Sequence, residues 1–346
     1  MLKCQRFVFR STTKFIIILL IIAFGYLSIN RERDNFQTVK DDVHIHIFNL
    51  SLQLEPKYFY DEISCRKSSE IYVSTTLCVH DLNRDENVSA FIWRDGVWER
   101  HIIKHFLDYI KKNPDWLVLD VGAQIGQYSL FAAKMGRDVV CVEPFYENIL
   151  RIHKAAFSEN LSSRITLIKN ALSNKRNEVK KLKAESRNIG GQSLLENKDQ
   201  VFDRSQLEND KYLVETIFFD DLINYLPKKP NGEEYRKAIL KIDIEGFEPY
   251  AFQNANKLFD RLDIRIIFME WGNLPMQSDN HGMILEMIKF LRDRNFIPFG
   301  NNVKLNDSDW KKWPWDIFWE KLDILTSKKN YFYKKRLKNL KKKKSN

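Results

Sequence analysis

The stretch from Trp116 to Ser129 constrains this chain more than any other. Trp116 to Val121 is a short apolar run broken only by Asp120. Gly122 and Gly126 bracket a turn, and Leu130, Phe131 and Ala132 then begin a helical face. That order predicts a buried strand, a tight glycine turn and a helix. Glycine permits the turn and removes side chains, so that backbone N–H groups can approach a ligand. The following helix would turn its positive end toward that ligand. A second buried strand, Asp138 to Val142, ends in Glu143 and Pro144. Glu143 falls about 20 residues after Gly122, the spacing at which a strand-end acid takes a ribose hydroxyl pair. Such turns and such acids also occur separately as plain structure. Together, at this spacing, they predict a nucleoside ligand.

Further strands follow in the same manner. Ile165 to Ile168 runs into Asn170 and Ala171, and Val214 to Phe219 into Asp220 and Asp221. Ala238 to Ile242 runs into Asp243 and Glu245, and Ile264 to Met269 into Glu270 and Trp271. Helices are expected from Glu99 to Ile110, from Glu143 to about Ser158 and from Met283 to Leu291. The charged segment Asn177 to Leu195 contains Gly190 and Gly191 and reads as an inserted hairpin or mobile flap. Alternation of strands and helices argues for a mostly parallel sheet covered on both faces. Asp120, Glu143, Asn170, Asp243 and Glu270 recur at the C-terminal ends of strands, the edge at which open α/β sheets bind ligands.

Composition matters chiefly for where the charge sits. The formal net charge is +10, and the basic residues from Lys328 to Lys344, ten in number and with no acid among them, account for all of it. The rest of the chain is balanced. No basic groove across a core is implied, so no nucleic-acid partner is expected. The tail reads as a solvated segment that can touch acidic headgroups or glycans. Its last four residues, Lys343 to Asn346, resemble a dilysine retrieval signal, which is read in the cytosol.

At the other end, Phe15 to Ile29 is uncharged and almost wholly apolar, slightly short for a bilayer span. Thin membranes of the early secretory pathway accept such spans. An uncleaved signal anchor is the preferred reading, with the basic N-terminus in the cytosol. Cleavage after Gly25 and a buried core helix remain as alternatives. Sequons at Asn49, Asn87, Asn160 and Asn306 fit lumenal exposure. Cys65 and Cys78 can pair in an oxidising lumen, whereas Cys141 reads as a core residue. His101 and His105 share a helix face but have no third ligand near, so they read as surface residues. Trp310, Trp313, Trp315 and Trp319 either close a core or stack on sugars, and packing is the commoner fate.

Four blocks, in order and at sensible spacing, now identify a resemblance. Leu119 to Ser129, Val142 to Pro144, Lys169 to Ser173 and Leu240 to Glu248 resemble the motifs of the FkbM-type methyltransferases, a branch of the class I S-adenosylmethionine-dependent enzymes. Gln124 departs from the family, which usually has asparagine there. The resemblance implies a Rossmann-like α/β fold with a mostly parallel seven-stranded sheet and helices on both faces. It implies S-adenosylmethionine as cofactor, held by Asp120, Gly122, Ala123, Gln124, Gly126, Tyr128, Ser129, Glu143, Pro144, Asn170 and Ala171. It also implies methyl transfer, usually to a hydroxyl. Such transfer needs in-line positioning and a base for the hydroxyl proton. Asp243 and Glu245 are the candidates, with Lys241 able to pair with either. The plainer reading is that these acids hold their turn. No resident metal is expected.

The whole chain then divides into a cytosolic N-terminus (1–14), a signal anchor (15–29) and a stem and N-terminal extension (30–90) that becomes part of the folded body. A methyltransferase domain (91–325) and a basic disordered tail (326–346) follow. The expected function is a membrane-anchored O-methyltransferase of the Golgi or endoplasmic reticulum. Its partners would be a lipid bilayer through residues 15–29 and a methyl acceptor, with glycans as the candidate class. Three alternatives stand beside it: a silent methyltransferase-like cargo escort, a cytosol-facing small-molecule or lipid methyltransferase, and, more remotely, a nicotinamide oxidoreductase.

Overall fold

Residues 43–54, 58–195 and 201–323 are described in a computed structural model of the chain. Apolar runs buried on both faces make the centre of its main sheet, as parallel pairing demands. In chain order the strands of that sheet are β1 (Ile47–Phe48), β2 (Leu117–Val121), β3 (Val139–Val142), β4 (Ile165–Ile168) and β5 (Lys237–Ile242). They continue with β6 (Asp263–Glu270), β7 (Phe296–Gly300), β8 (Val303–Lys304) and β9 (Asp316–Lys321). Their spatial order is β1-β4-β3-β2-β5-β6-β9-β7-β8. The middle five, β4 to β6 across the sheet, are parallel, and every other pairing is antiparallel.

The sheet therefore has nine strands rather than the expected seven. The two additions, β1 and β8, are two-residue strands at its edges. Short edge strands limit unwanted pairing with other chains, and two residues leave no periodicity for a sequence to display. A second correction concerns Val214 to Phe219. The strand forms as Leu213–Ile217, but outside the main sheet. It pairs parallel with Ala171–Leu172 and antiparallel with Val179–Lys181 in a small three-stranded sheet.

The chain runs outward from β2 through β3 and β4, then returns to lay β5 on the other side of β2. Its topological switch point thus lies between β2 and β5, where ligands of such sheets bind. The helix Arg100–Lys112 covers this region with Ile103, Phe106, Leu107 and Ile110, one stripe at helical spacing. Part of the expected stem belongs to the folded body, since Leu50, Ile63, Leu77, Cys78 and Val79 are buried in the same core. Cys65 and Cys78 are disulfide-bonded opposite each other on a two-stranded ladder. Trp310, Trp313 and Trp319 pack with Trp271, whose indole Nε1 donates to the Trp310 carbonyl at 2.8 Å. Trp315 stands apart and is 55% exposed.

Among the described residues no helix is long and apolar enough to cross a membrane. The expected N-terminus (1–14), anchor (15–29) and basic tail (326–346) all lie outside the described residues.

Phe106 is fully buried, with its ring edge-on to Tyr128 at 5.1 Å and to Phe268 at 5.7 Å. Phe106→Ala is expected to cost about 3–5 kcal/mol of stability through lost burial and a residual void. Urea denaturation of parent and variant measures it, and a loss below about 1 kcal/mol would contradict this packing.

Candidate active site

The C-terminal ends of β2 to β6 line a cavity of about 430 Å³ at the switch point. The turn after β2 is tight for reasons of packing. Gly122 has φ +75, and a Cβ there would lie 1.7 Å from the Asp243 carbonyl oxygen. Gly126 has φ +83 and opens the helix Gln127–Lys134, where a Cβ would meet Ile152 at 2.9 Å. Four amides of the turn are taken up within the protein. Gly122 and Ala123 donate to the Val142 carbonyl, Gly126 donates to that of Ala123, and Gln124 donates to Glu143 Oε2 at 2.7 Å. The turn is thus tied to β3 by its own donors.

Gly122, Ala123, Gln124, Tyr128, Glu143, Pro144, Asn170 and Ala171 line the cavity, and so do Lys241, Asp243 and Glu245. Asp120, Gly126 and Ser129 lie behind the wall. Asp120 Oδ2 accepts from the Ser129 amide and hydroxyl at 2.9 and 2.6 Å, which ties β2 to the helix. Asn170 spends its side chain on the backbone of His44, His46 and Glu215. Its part is to hold the wall.

Glu143 also accepts the Phe145 amide at 2.7 Å. Burial pushes its carboxyl up to about 8, and the bonds from Phe145, Asn148 and Gln124 offset only part of that. Lys241 is held up in the opposite sense. Burial alone would lower it, but the charges of Asp243 and Asp120 outweigh burial. Its ammonium lies 3.0 Å from Asp243 Oδ2. Glu245 sits at φ +54, a conformation that side chains rarely adopt. Burial and the Asp243 charge raise its carboxyl. Asn273 Nδ2 bridges Glu245 Oε2 at 3.2 Å and Glu270 Oε2 at 3.0 Å.

Several lining residues escaped the sequence reading. Glu99, Trp98 and Asp316 reach the cavity from distant segments, and no local pattern marks them, whereas Trp315 belongs to the tryptophan cluster for which stacking on sugars is one of the two readings. Burial and its neighbours Asp316 and Asp243 push Glu99 up to about 7. Trp315 donates its indole N–H to Glu270 Oε1 at 2.9 Å. The segment Asn177 to Leu195 does fold as a hairpin over the site, with a bridge between Leu182 and Leu194. Its glycines meet the site directly. A Cβ on Gly190 would lie 2.8 Å from the Gln124 side chain, and one on Gly191 2.8 Å from Glu245. The unusual length of Gln124 is therefore accommodated by a glycine opposite.

The walls suit a ligand that donates hydrogen bonds and carries positive charge. Glu99, Glu143, Asp243, Glu245, Glu270 and Asp316 face one lysine, Lys241. Asn188 Oδ1 and Gln192 Oε1 are buried acceptors on the same wall with no donor among the described residues. Hydroxyls, amines and a sulfonium are the groups such a wall lacks.

The raised Glu143 sets a pH dependence. Its carboxyl titrates near 4.5 when unfolded and near 8 when folded, so the folded state binds more protons between those values. The contribution of Glu143 to stability falls as pH rises through that window. Glu143→Gln should therefore flatten the decline in Tm of the ligand-free protein between pH 5 and about 8. Calorimetric scans across that range test it, and an unchanged slope in the variant would refute it.

No curated protein sequence matches the chain. Among solved structures, an rRNA methylase from Streptococcus thermophilus is similar at 16% identity over 64% of this chain and 96% of that one, with a TM-score of 0.32. SMU.1697c, a putative methyltransferase from Streptococcus mutans in complex with SAH, is similar at 13% identity over 64% and 97%, with a TM-score of 0.36. Magnesium protoporphyrin IX methyltransferase from Synechocystis PCC 6803 is similar at 11% over 64% and 83%, with a TM-score of 0.34. A profile described as the methyltransferase FkbM domain matches residues 120–298, more than half of the sequence. The matched region holds the turn, Glu143 and the Lys241-to-Glu245 segment, and S-adenosylmethionine is the cofactor. The chain belongs to the FkbM family of S-adenosylmethionine-dependent methyltransferases.

Proposed function

We propose that the protein is an O-methyltransferase that acts on glycan hydroxyls. In this reading it is anchored through residues 15–29 in a membrane of the Golgi or endoplasmic reticulum, with its catalytic domain in the lumen. One observation carries the chemical part. Glu143 and the Lys241, Asp243 and Glu245 group open onto the same cavity, so donor and acceptor share one chamber.

S-adenosylmethionine supplies an electrophilic methyl group on a sulfonium. Glu143 offers carboxylate oxygens to the ribose hydroxyls, and the Asn188 and Gln192 oxygens take further donors. Asp243 and Glu245 receive the proton that an acceptor hydroxyl loses. Lys241 fixes Asp243 in place through their ion pair. The hairpin over the site and the Trp98 wall exclude water, which strengthens every charge interaction inside.

The acceptor class rests on the mouth of the cavity. Trp315 is exposed there beside Glu270 and Asp316. An aromatic face flanked by carboxylates matches the two needs of a sugar, an apolar ring face and hydroxyl donors. The lumenal compartment is supported by the Cys65–Cys78 disulfide, since such bonds persist in oxidising compartments. Exposure of Asn49, Asn87, Asn160 and Asn306 agrees with it.

Calorimetric titration of S-adenosylmethionine into the full-length protein is the first test. We expect micromolar binding, weakened at least about tenfold by Glu143→Ala, a difference of about 1.4 kcal/mol. Silence from a folded parent would sink the enzyme reading and leave a binding module or cargo escort. Asp243→Asn should keep donor affinity but lower the rate of transfer to glycan acceptors by about 10²–10⁴-fold. Unimpaired transfer by that variant would remove Asp243 from the chemistry. For the compartment, glycosidase treatment of the expressed protein should shift its mobility, and loss of Asn87 and Asn160 should reduce the shift. A chain without glycans on any sequon would contradict the lumenal reading.

A further inference from the structure

Behind the acceptor end of the cavity, three carboxylates converge. Asp243, Glu248 and Glu270 each offer an oxygen, and the three oxygens lie within 4.8 Å of one another. Asp243 and Glu270 line the cavity, and Glu248 lies just beneath its floor, fully buried. The turn through Glu245 (φ +54) and Gly246 (φ +94) brings Glu248 back onto the end of β5. There its Oε1 accepts the Ile244 amide at 2.9 Å.

The other oxygen is the telling one. Glu248 Oε2 is buried and has no hydrogen-bond donor among the described residues. A buried carboxylate oxygen without a partner costs free energy that a native site normally recovers. The donors on Glu270 are neutral, the Trp315 indole and the Asn273 amide. Lys241 is committed to Asp243 Oδ2. A positive charge held among the three carboxylates would give the Glu248 carboxylate an ionic partner and balance the acids.

We propose that Asp243, Glu248 and Glu270 bind a hard divalent cation of the magnesium, manganese or calcium class at the floor of the cavity. The donor set is all carboxylate oxygen, which suits these ions and not zinc. The spacing suits them too. Metal–oxygen distances of about 2.1–2.4 Å put ligands about 3.0–3.4 Å apart when adjacent and about 4.2–4.8 Å apart when opposite. Three protein ligands leave positions open toward the cavity. An ion there holds the acceptor oxygen and lowers its proton affinity. That role rests on the methyltransferase reading above, but the binding site itself does not.

Manganese titration of the full-length protein, without S-adenosylmethionine and followed by electron paramagnetic resonance, tests the site. We expect saturable binding, weakened roughly tenfold or more by Glu248→Gln and by Glu270→Gln. Glu248→Gln, whose side chain does not line the cavity, should keep its affinity for S-adenosylmethionine. Terbium should luminesce on tryptophan excitation because the Trp315 indole touches a ligand carboxylate. Trp315→Phe should dim that emission while leaving manganese binding in place. Should Glu248→Gln fail to fold, Glu270→Gln carries the comparison, because that residue is only partly buried. A folded parent that binds no manganese, or unchanged affinity in the folded variants, overturns the proposal and means that the three acids share protons. Manganese binding without S-adenosylmethionine binding would keep the ion site and sink the enzyme reading. The reverse result would do the opposite.

Discussion

The pairing of β2 with β5 is the contact on which the site depends. Leu117 to Val121 runs beside Ala238 to Ile242, and the ladder closes where the Asp243 amide donates to the Val121 carbonyl at 3.0 Å. Just beyond, Gly122 passes so close to the Asp243 carbonyl that only a hydrogen fits between them. This contact joins two halves of the chain about 120 residues apart. It brings the cofactor turn and the acidic segment to one edge of one sheet. Any side chain at position 122 would force the strand ends apart and separate the two functional groups of residues.

The electrostatics of the cavity follow from that closeness. Acids that would be ordinary on a surface are crowded at low solvent access, and burial raises Glu143, Glu245, Glu248 and Glu270 together. A protein tolerates such a cluster when something positive or protic completes it. Lys241 pairs directly with Asp243 and reaches Asp120, Glu245 and Glu270 only through its field. The remaining deficit selects for cations and hydrogen-bond donors, and so links donor binding, acceptor binding and any ion through one shared field.

Legibility in the sequence tracked locality. β2, its turn and Glu143 lie within one short βαβ unit, so their spacing carried the fold and the nucleoside site together. The segment from Lys241 to Glu248 was readable for the same reason, although Glu248 drew no attention because its importance comes from a turn with two positive φ values. The edge strands were not readable, since two residues show no period. Leu213–Ile217 looked like a main-sheet strand, and only its partners set it elsewhere. Trp98, Glu99 and Asp316 were illegible as site residues because packing, not pattern, delivers them, and the tryptophan cluster did not reveal that Trp315 alone would stand out of the core. The turn shows a second cause beside the expected one. The glycines were found, but close packing also requires them, and the amides of Gly122, Ala123 and Gln124 bond to Val142 and Glu143.

The cavity is assembled from two kinds of sequence. Its chemical floor, from Gly122 to Glu270, falls inside the family match at 120–298. Much of its rim does not, since Asn87, Val88, Trp98, Glu99 and Ile102 precede that match and Trp315, Asp316 and Ile317 follow it. The rim is thus supplied by two segments outside the matched profile, and exchanging only those segments in a chimera would separate what the rim does from what the floor does.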